Sequence, residues 1–308
     1  MGLSHNHDLS HSVDDALRDS SAGIRAVKIS LVGLGITAVA QLAIVALSGS
    51  VALFADTVHN FADALTAVPL WIAFSMSRRA ATRRYTYGFG RVEDLAGLFV
   101  IVMIAVSAVV AVVEAIRRLV DPVPLTHLSW VAVAGVVGFL GNEVVALYRI
   151  RVGKRIGSAA LRADGMHARA DGLTSLAVVA GAIGAALGFP AADPIVGLVI
   201  AGMIGVVLVF AARDVFGRLL DRVEPDLIDE AVAVLAARPG VRAVRRVRMR
   251  WLGHQLDADA ELDVDPSLSL ADAHAVAHGA EHELAHTIPK LGSVIVHAYP
   301  AHESLLSS

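Results

Sequence analysis

The stretch from Val92 to Leu119, VEDLAGLFVIVMIAVSAVVAVVEAIRRL, keeps its charges near its two ends and is apolar between them. It exceeds the roughly 20 residues that an α-helix needs to cross a bilayer. Five further apolar stretches resemble it, from Val27 to Leu47, Val51 to Met76, Leu128 to Arg149, Ala159 to Leu187 and Pro194 to Ala211. Only Ser48, Gly49 and Ser50 separate the first from the second, so these two form a tight helical hairpin. The expected fold is therefore an α-helical membrane protein with six transmembrane helices over residues 27–221. The glycine pairs Gly138/Gly141 and Gly184/Gly188 suit close helix packing in lipid, and Pro69 predicts a bend in the second span.

Composition supports this reading. The 308 residues are 56% hydrophobic and 18% charged, with mean hydropathy +0.63, too apolar for an ordinary soluble enzyme. A net charge of −3 provides no basic field for nucleic acid, which is not an expected partner. Cysteine is absent, which excludes disulfides, thiol catalysis and thiolate metal sites, so any metal must be held by His and carboxylates. Residues 1–26 are polar, contain His5, His7 and His11, and lack the apolar core of a signal peptide, so they read as a disordered cytoplasmic lead-in.

Basic residues set the orientation. Arg78, Arg79, Arg83 and Arg84 follow the second span, and Arg149, Arg151, Lys154 and Arg155 follow the fourth, placing both connections in the cytoplasm. Arg117 and Arg118 after the third span are exceptions, expected to snorkel to the interface. The expected location is the inner cell membrane, multi-pass, with both termini cytoplasmic.

From Arg222 the composition becomes that of a small soluble domain, residues 222–302, followed by a tail at 303–308. Pro225 to Ala237 and Leu270 to His286 read as helices, and Val241 to Trp251, Gln255 to Val264 and Ser293 to Ala298 as strands. The order αββαβ predicts an open ferredoxin-like sheet with both helices on one face. Arg246, Arg248 and Arg250 on one strand and Asp257, Asp259, Glu261 and Asp263 on the next are expected to pair across the sheet.

The chemistry lies in a repeated pattern. Ala55-Asp56-Thr57-Val58-His59-Asn60-Phe61-Ala62-Asp63 and Ala163-Asp164-Gly165-Met166-His167-Ala168-Arg169-Ala170-Asp171 both match A-D-x-x-H-x-x-A-D. Positions four apart share a helix face, so His59 with Asp63 and His167 with Asp171 each make a two-toothed claw. An ionisable side chain at mid-bilayer costs about 2.5–3.5 kcal/mol on insertion scales, and a hydrogen-bonded pair within one helix would explain a single claw. Two copies in separate spans point instead to a shared site, in which two imidazoles and two carboxylates match tetrahedral zinc. Asp56 and Asp164 lie one turn before each claw, as supporting groups or as helix-end residues. Imidazolium does not bind zinc, so metal and protons compete, and alternating exposure of the site would couple metal export to proton entry.

At this point the chain resembles the cation diffusion facilitator family, also called cation efflux or zinc transporters. Besides the claws, the resemblance rests on Ser50 to Asp56, on Tyr87-Gly88-Phe89-Gly90-Arg91-Val92-Glu93, on Asp193-Pro194, and on a tail ending Val294-Ile295-Val296-His297. It implies a homodimer, a transport site of His59, Asp63, His167 and Asp171, and proton-coupled efflux with the metal as substrate and no cofactor. A His at position 59 resembles the zinc-selective members, with cobalt, cadmium, nickel and ferrous iron as alternatives. Relatives often carry another site in the loop before the third span, where Tyr85 and Phe89 stand here, so that site is expected to be missing.

Weaker candidates lie in the C-terminal domain, where His274, His297, Glu261 and His254 are possible cytoplasmic ligands. His274, His278, His282 and His286 recur every fourth residue, which reads first as a solvated helix face. Gln41, Asn142 and Glu143 are polar intrusions into spans, expected to bond between helices. Two other function classes were weighed. A membrane metalloenzyme lacks H-E-x-x-H and a spare hydrolytic base, and a membrane-anchored metal sensor leaves the duplicated claws unexplained.

Overall fold

The computed structural model describes residues 5–48, 67–121, 128–189 and 191–301. The helices are α1 (His5–Ser48), α2 (Ala67–Ser77), α3 (Arg91–Val120), α4 (Leu128–Ile156), α5 (Ala159–Ala186), α6 (Ala192–Leu219), α7 (Pro225–Ala237) and α8 (Leu270–Thr287). The strands are β1 (Val241–Leu252), β2 (Gln255–Val264) and β3 (Leu291–Pro300). The chain divides into two compact units, Ser20–Phe216 and a second that joins Met1–Asp19 to Gly217–Ser308.

Among the described residues, four helical segments are long and apolar enough to cross a membrane: Ala16–Leu47, Arg91–Val120, Leu128–Ile156 and Ala192–Leu219. On α3, Val106, Val109, Val110 and Val113 are at least half exposed, a display of apolar side chains suited to lipid rather than water. Among the described residues α5 misses that standard, because its first half carries Arg162, Asp164, His167, Arg169 and Asp171. Those charges call for neighbours that answer them. Of the second span, Ala67–Ser77 is helical through Pro69, whereas Asp56, His59 and Asp63 lie outside the described residues.

Two expectations need correction. The N-terminal lead-in is helical from His5, so α1 runs for 44 residues, about 66 Å, without a break at residue 27. The fourth helix continues past Arg149 to Ile156, so Arg149, Arg151, Lys154 and Arg155 belong to the helix and not to a loop. Helical periodicity runs on through these polar residues, which hydropathy alone had read as the end of a span.

The α4–α5 connection is sharp for a local reason. Gly157 takes φ +78°, which a side chain disfavours, and the Ser158 amide donates to the Gly153 carbonyl at 2.9 Å. Ser158 then caps α5, its hydroxyl accepting from the Leu161 amide at 3.0 Å. The two helices run back antiparallel and close together. A Cβ on Gly165 would stand 3.0 Å from the Ile150 nitrogen and 3.1 Å from the Ala146 carbonyl oxygen. Of the predicted glycine pairs, Gly138 does pack, against Ser175 and Gln41, but Gly188 takes φ +81° in a turn and meets nothing.

In the C-terminal unit the sheet order is β1-β2-β3, with β1/β2 antiparallel and β2/β3 parallel. Ala231 and Leu235 of α7 and Ala277, Ala280 and Leu284 of α8 pack on one face, against Leu256, Ala258, Ala260 and Leu262 of β2. The other face carries the charges in the expected register, Arg246 opposite Glu261, Arg248 opposite Asp259 and Arg250 opposite Asp257. β3 extends further than expected at both ends, because its backbone continues to pair with β2 from Leu291 to Pro300.

Candidate metal-transport site

The described half of the candidate site lies on α5. Asp164, His167, Asp171 and Ser175 succeed one another at spacings of three, four and four residues, so they lie along one face. All four are buried, at 0%, 1%, 7% and 3% exposure. His167 Nδ1 stands 3.6 Å from Asp171 Oδ1, near enough for the two side chains to take one ion from the same side. The Asp171 carbonyl accepts from the Thr174 hydroxyl at 2.7 Å.

The remaining charges of α5 are matched by neighbouring helices. Arg162 pairs with Asp214 of α6 at 2.6 Å, and Asp164 with Arg149 of α4 at 2.9 Å. Arg169 makes a two-pronged contact with Glu143 of α4, at 3.1 and 2.7 Å. These ion pairs explain how a helix with two arginines, a histidine and two carboxylates in its first half sits among apolar neighbours. They also leave His167 and Asp171 as a pair of unlike chemistry, a nitrogen and an oxygen donor. Glu143 bonds between helices as its place in a span predicts, whereas nothing in the sequence marks Asp214 as a partner and Arg149 reads there as a loop cation.

Other polar residues of the membrane unit stay near this face. Gln41 of α1 donates to the Ala134 carbonyl at 3.4 Å, and Asn142 to the Gly138 carbonyl within its own helix at 3.1 Å. A Cβ on Gly138 would fall 2.8 Å from both Gln41 Nε2 and Ser175 Oγ, so α1, α4 and α5 meet in a polar cluster one turn beyond Asp171. Arg118, the orientation exception, has carboxylate partners on two helices. It bridges Glu114 of its own helix at 2.9 Å and Asp193 of α6 at 3.0 Å. Tyr85 and Phe89, before α3, lie against each other with ring centres 4.9 Å apart.

Of the C-terminal candidates, Glu261 and His297 are register partners on β2 and β3, and the others have different neighbours. Glu261 is paired with Arg246, His297 lies beside Tyr299 at 4.7 Å between rings, and His274 stacks parallel to His278 at 6.2 Å. His254, in the two-residue β1–β2 turn with Gly253 at φ +63°, is 4% exposed with Nε2 3.3 Å from the Ala16 carbonyl. Among the described residues no group of three or more His, Cys, Asp or Glu side chains is placed to hold a metal. His59 and Asp63 lie outside those residues, so two of the four predicted ligands have been located.

Comparison with known proteins adds a decisive match. Residues 27–220 match the family model described as the cation efflux transmembrane domain, and residues 223–301 the one described as the cation efflux protein cytoplasmic domain. The chain belongs to the cation efflux, or cation diffusion facilitator, family. It is thus a multi-pass membrane protein of a family that transports divalent metal ions and is not made up of enzymes. A "probable cation efflux system protein" of Mycobacterium tuberculosis strain H37Rv is 68% identical over 297 residues, covering 96% of this chain and 90% of that protein. The manganese efflux system protein MneP of Bacillus subtilis is 25% identical over 262 residues, covering 82% of this chain and 88% of that protein. Among solved structures, the C-terminal domain of MamM is 26% identical, with TM-score 0.25, covering 25% of this chain and 98% of that one.

Proposed function

We propose that this cation efflux protein exports zinc from the cytoplasm in exchange for protons, through a site of His59, Asp63, His167 and Asp171 exposed alternately to the two sides of the membrane. The observation that carries this reading is the buried His167–Asp171 claw on a helix whose other charges are matched by ion pairs. The duplicate of its sequence pattern in the second span supplies the second half of a four-donor shell. Two imidazoles and two carboxylates suit zinc in a tetrahedron, whereas manganese favours an oxygen-rich octahedral shell. The competition between metal and protons for imidazole is the coupling device.

The rest of the proposal concerns context. The protein works as a homodimer in the inner cell membrane, with both termini cytoplasmic. Residues 1–26 lead into the membrane domain at 27–221, and residues 222–302 form the cytoplasmic domain. No resident cofactor is required.

The test uses purified protein in sealed vesicles with a pH-sensitive dye inside. Zinc added outside should drive proton movement, abolished by His167→Ala or Asp171→Ala. Zinc binding without flux would instead mark a sensor. Equal or faster movement with manganese, the ion in the name of the Bacillus subtilis relative, would overturn the zinc assignment.

A further inference from the structure

Of the three ion pairs that match the charges of α5, only one is completely enclosed. Arg149 is 2% exposed and Asp164 is 0% exposed, with Nη1 and Oδ2 2.9 Å apart. The contact is ionic rather than a directed hydrogen bond. Arg149 Nε and Nη2 and both Asp164 carboxylate oxygens make no hydrogen bond among the described residues. A pair stripped of water and so poorly satisfied is an expensive way to hold two helices together, since well-packed apolar side chains of similar size serve as well or better. Adhesion is already supplied nearby, where Gly165 lets α5 approach the Ala146 and Ile150 backbone. Cohesion therefore does not account for the charges. Their position does, because Asp164 precedes His167 by three residues, a spacing that sets Cβ atoms about 5–6 Å apart on one face. In a site shielded from water, a charge at that range acts strongly on a divalent ion.

We propose that Arg149 and Asp164 are a positioning pair that sets the electrostatic balance of the transport site. Asp164 adds negative potential where the ion sits and Arg149 offsets it, so that the four ligands bind a dication firmly enough to select it and loosely enough to release it. The proposal rests on the reading of His167 and Asp171 as ligands. It assigns neither Arg149 nor Asp164 a bond to the metal.

The two single neutralisations then have opposite effects. In the full-length protein in lipid nanodiscs, titrated with zinc at fixed pH, Arg149→Gln leaves the Asp164 charge uncompensated and should tighten zinc binding by about tenfold or more. In sealed vesicles the same variant should slow zinc-driven proton movement at saturating zinc, because release is delayed. Asp164→Asn leaves the cation uncompensated and should weaken binding by a similar factor. The double variant R149Q/D164N should return to within about threefold of the unmodified protein. A pair that merely props the helices predicts the reverse pattern, both single variants weakening binding, and that result overturns the proposal. Should a glutamine variant fail to fold, Arg149→Lys keeps the charge and should bind zinc within about threefold of the unmodified protein. A lysine variant as weak as Asp164→Asn also overturns the proposal. His167→Ala is the reference. If it leaves zinc binding unchanged, the ligand reading fails. If it abolishes binding while both single neutralisations shift the same way, the ligands stand and the electrostatic role falls.

Discussion

Gly165 offers a sharp test of how the α4–α5 seam sets the site. A Cβ at this position would meet Ile150 Cγ1 at 2.7 Å, the Ile150 nitrogen at 3.0 Å and the Ala146 carbonyl oxygen at 3.1 Å. The Ile150 side chain can swing, but the two backbone atoms move only if α4 and α5 separate by a few tenths of an ångström. Replacing glycine with alanine in a helix gains about 1 kcal/mol, and forcing a methyl group into a filled seam costs about 1–3 kcal/mol. The balance makes Gly165→Ala neutral to destabilising by about 2 kcal/mol. Gly202, on α6, is the internal control, because a Cβ there meets nothing within 4 Å and only the helical gain remains. Thermal denaturation in detergent should therefore place Gly202→Ala above the unmodified protein and Gly165→Ala below Gly202→Ala. Zinc titration should show a loss of affinity only for Gly165→Ala, since His167 is two residues away on the displaced helix. Were Gly165→Ala as stable as Gly202→Ala with unchanged zinc affinity, the claim that backbone contact in this seam holds the site would be wrong.

Two further outcomes concern the C-terminal domain. The Asp265 carboxyl is held below its ordinary pKa, first by the Ser267 hydroxyl, then by the Ser267 amide, with Arg242 adding its charge. Its contribution is thus present above the unfolded carboxyl pKa and lost as pH falls through the lowered folded value, so NMR titration should show it protonating late, and Ser267→Ala should move it upward. His254→Ala should destabilise the domain by about 1–3 kcal/mol, because it empties a buried position and removes the ring's contact with the Ala16 carbonyl, while zinc affinity at the transport site stays unchanged in calorimetry.

Most of the architecture was readable because it depends on local pattern. Four apolar stretches returned as long helices, and the αββαβ order and charge rows of the C-terminal domain returned in register, since helix and strand periods are written in neighbouring residues. The His167–Asp171 claw was legible for the same reason, as one turn of helix fixes it. Errors arose where a polar residue has a distant partner. Arg149 reads from the sequence as a loop cation, yet it finds a carboxylate on another helix. Nothing in the sequence around the β1–β2 turn foretells the burial of His254, whose ring nitrogen reaches the Ala16 carbonyl more than 200 positions away in the chain.

The amino-acid order alone determined which segments can enter lipid and where a His and an Asp stand one helical turn apart, because both follow from side-chain chemistry and a helical repeat. Tertiary structure decided which of those charges are neutralised, and by what, because an ion pair between α4 and α5 or between α3 and α6 depends on how helices meet and leaves no mark at any fixed spacing. For this protein that difference separates knowing that α5 carries a His–Asp claw from knowing that Arg149 pairs with Asp164 one turn before it.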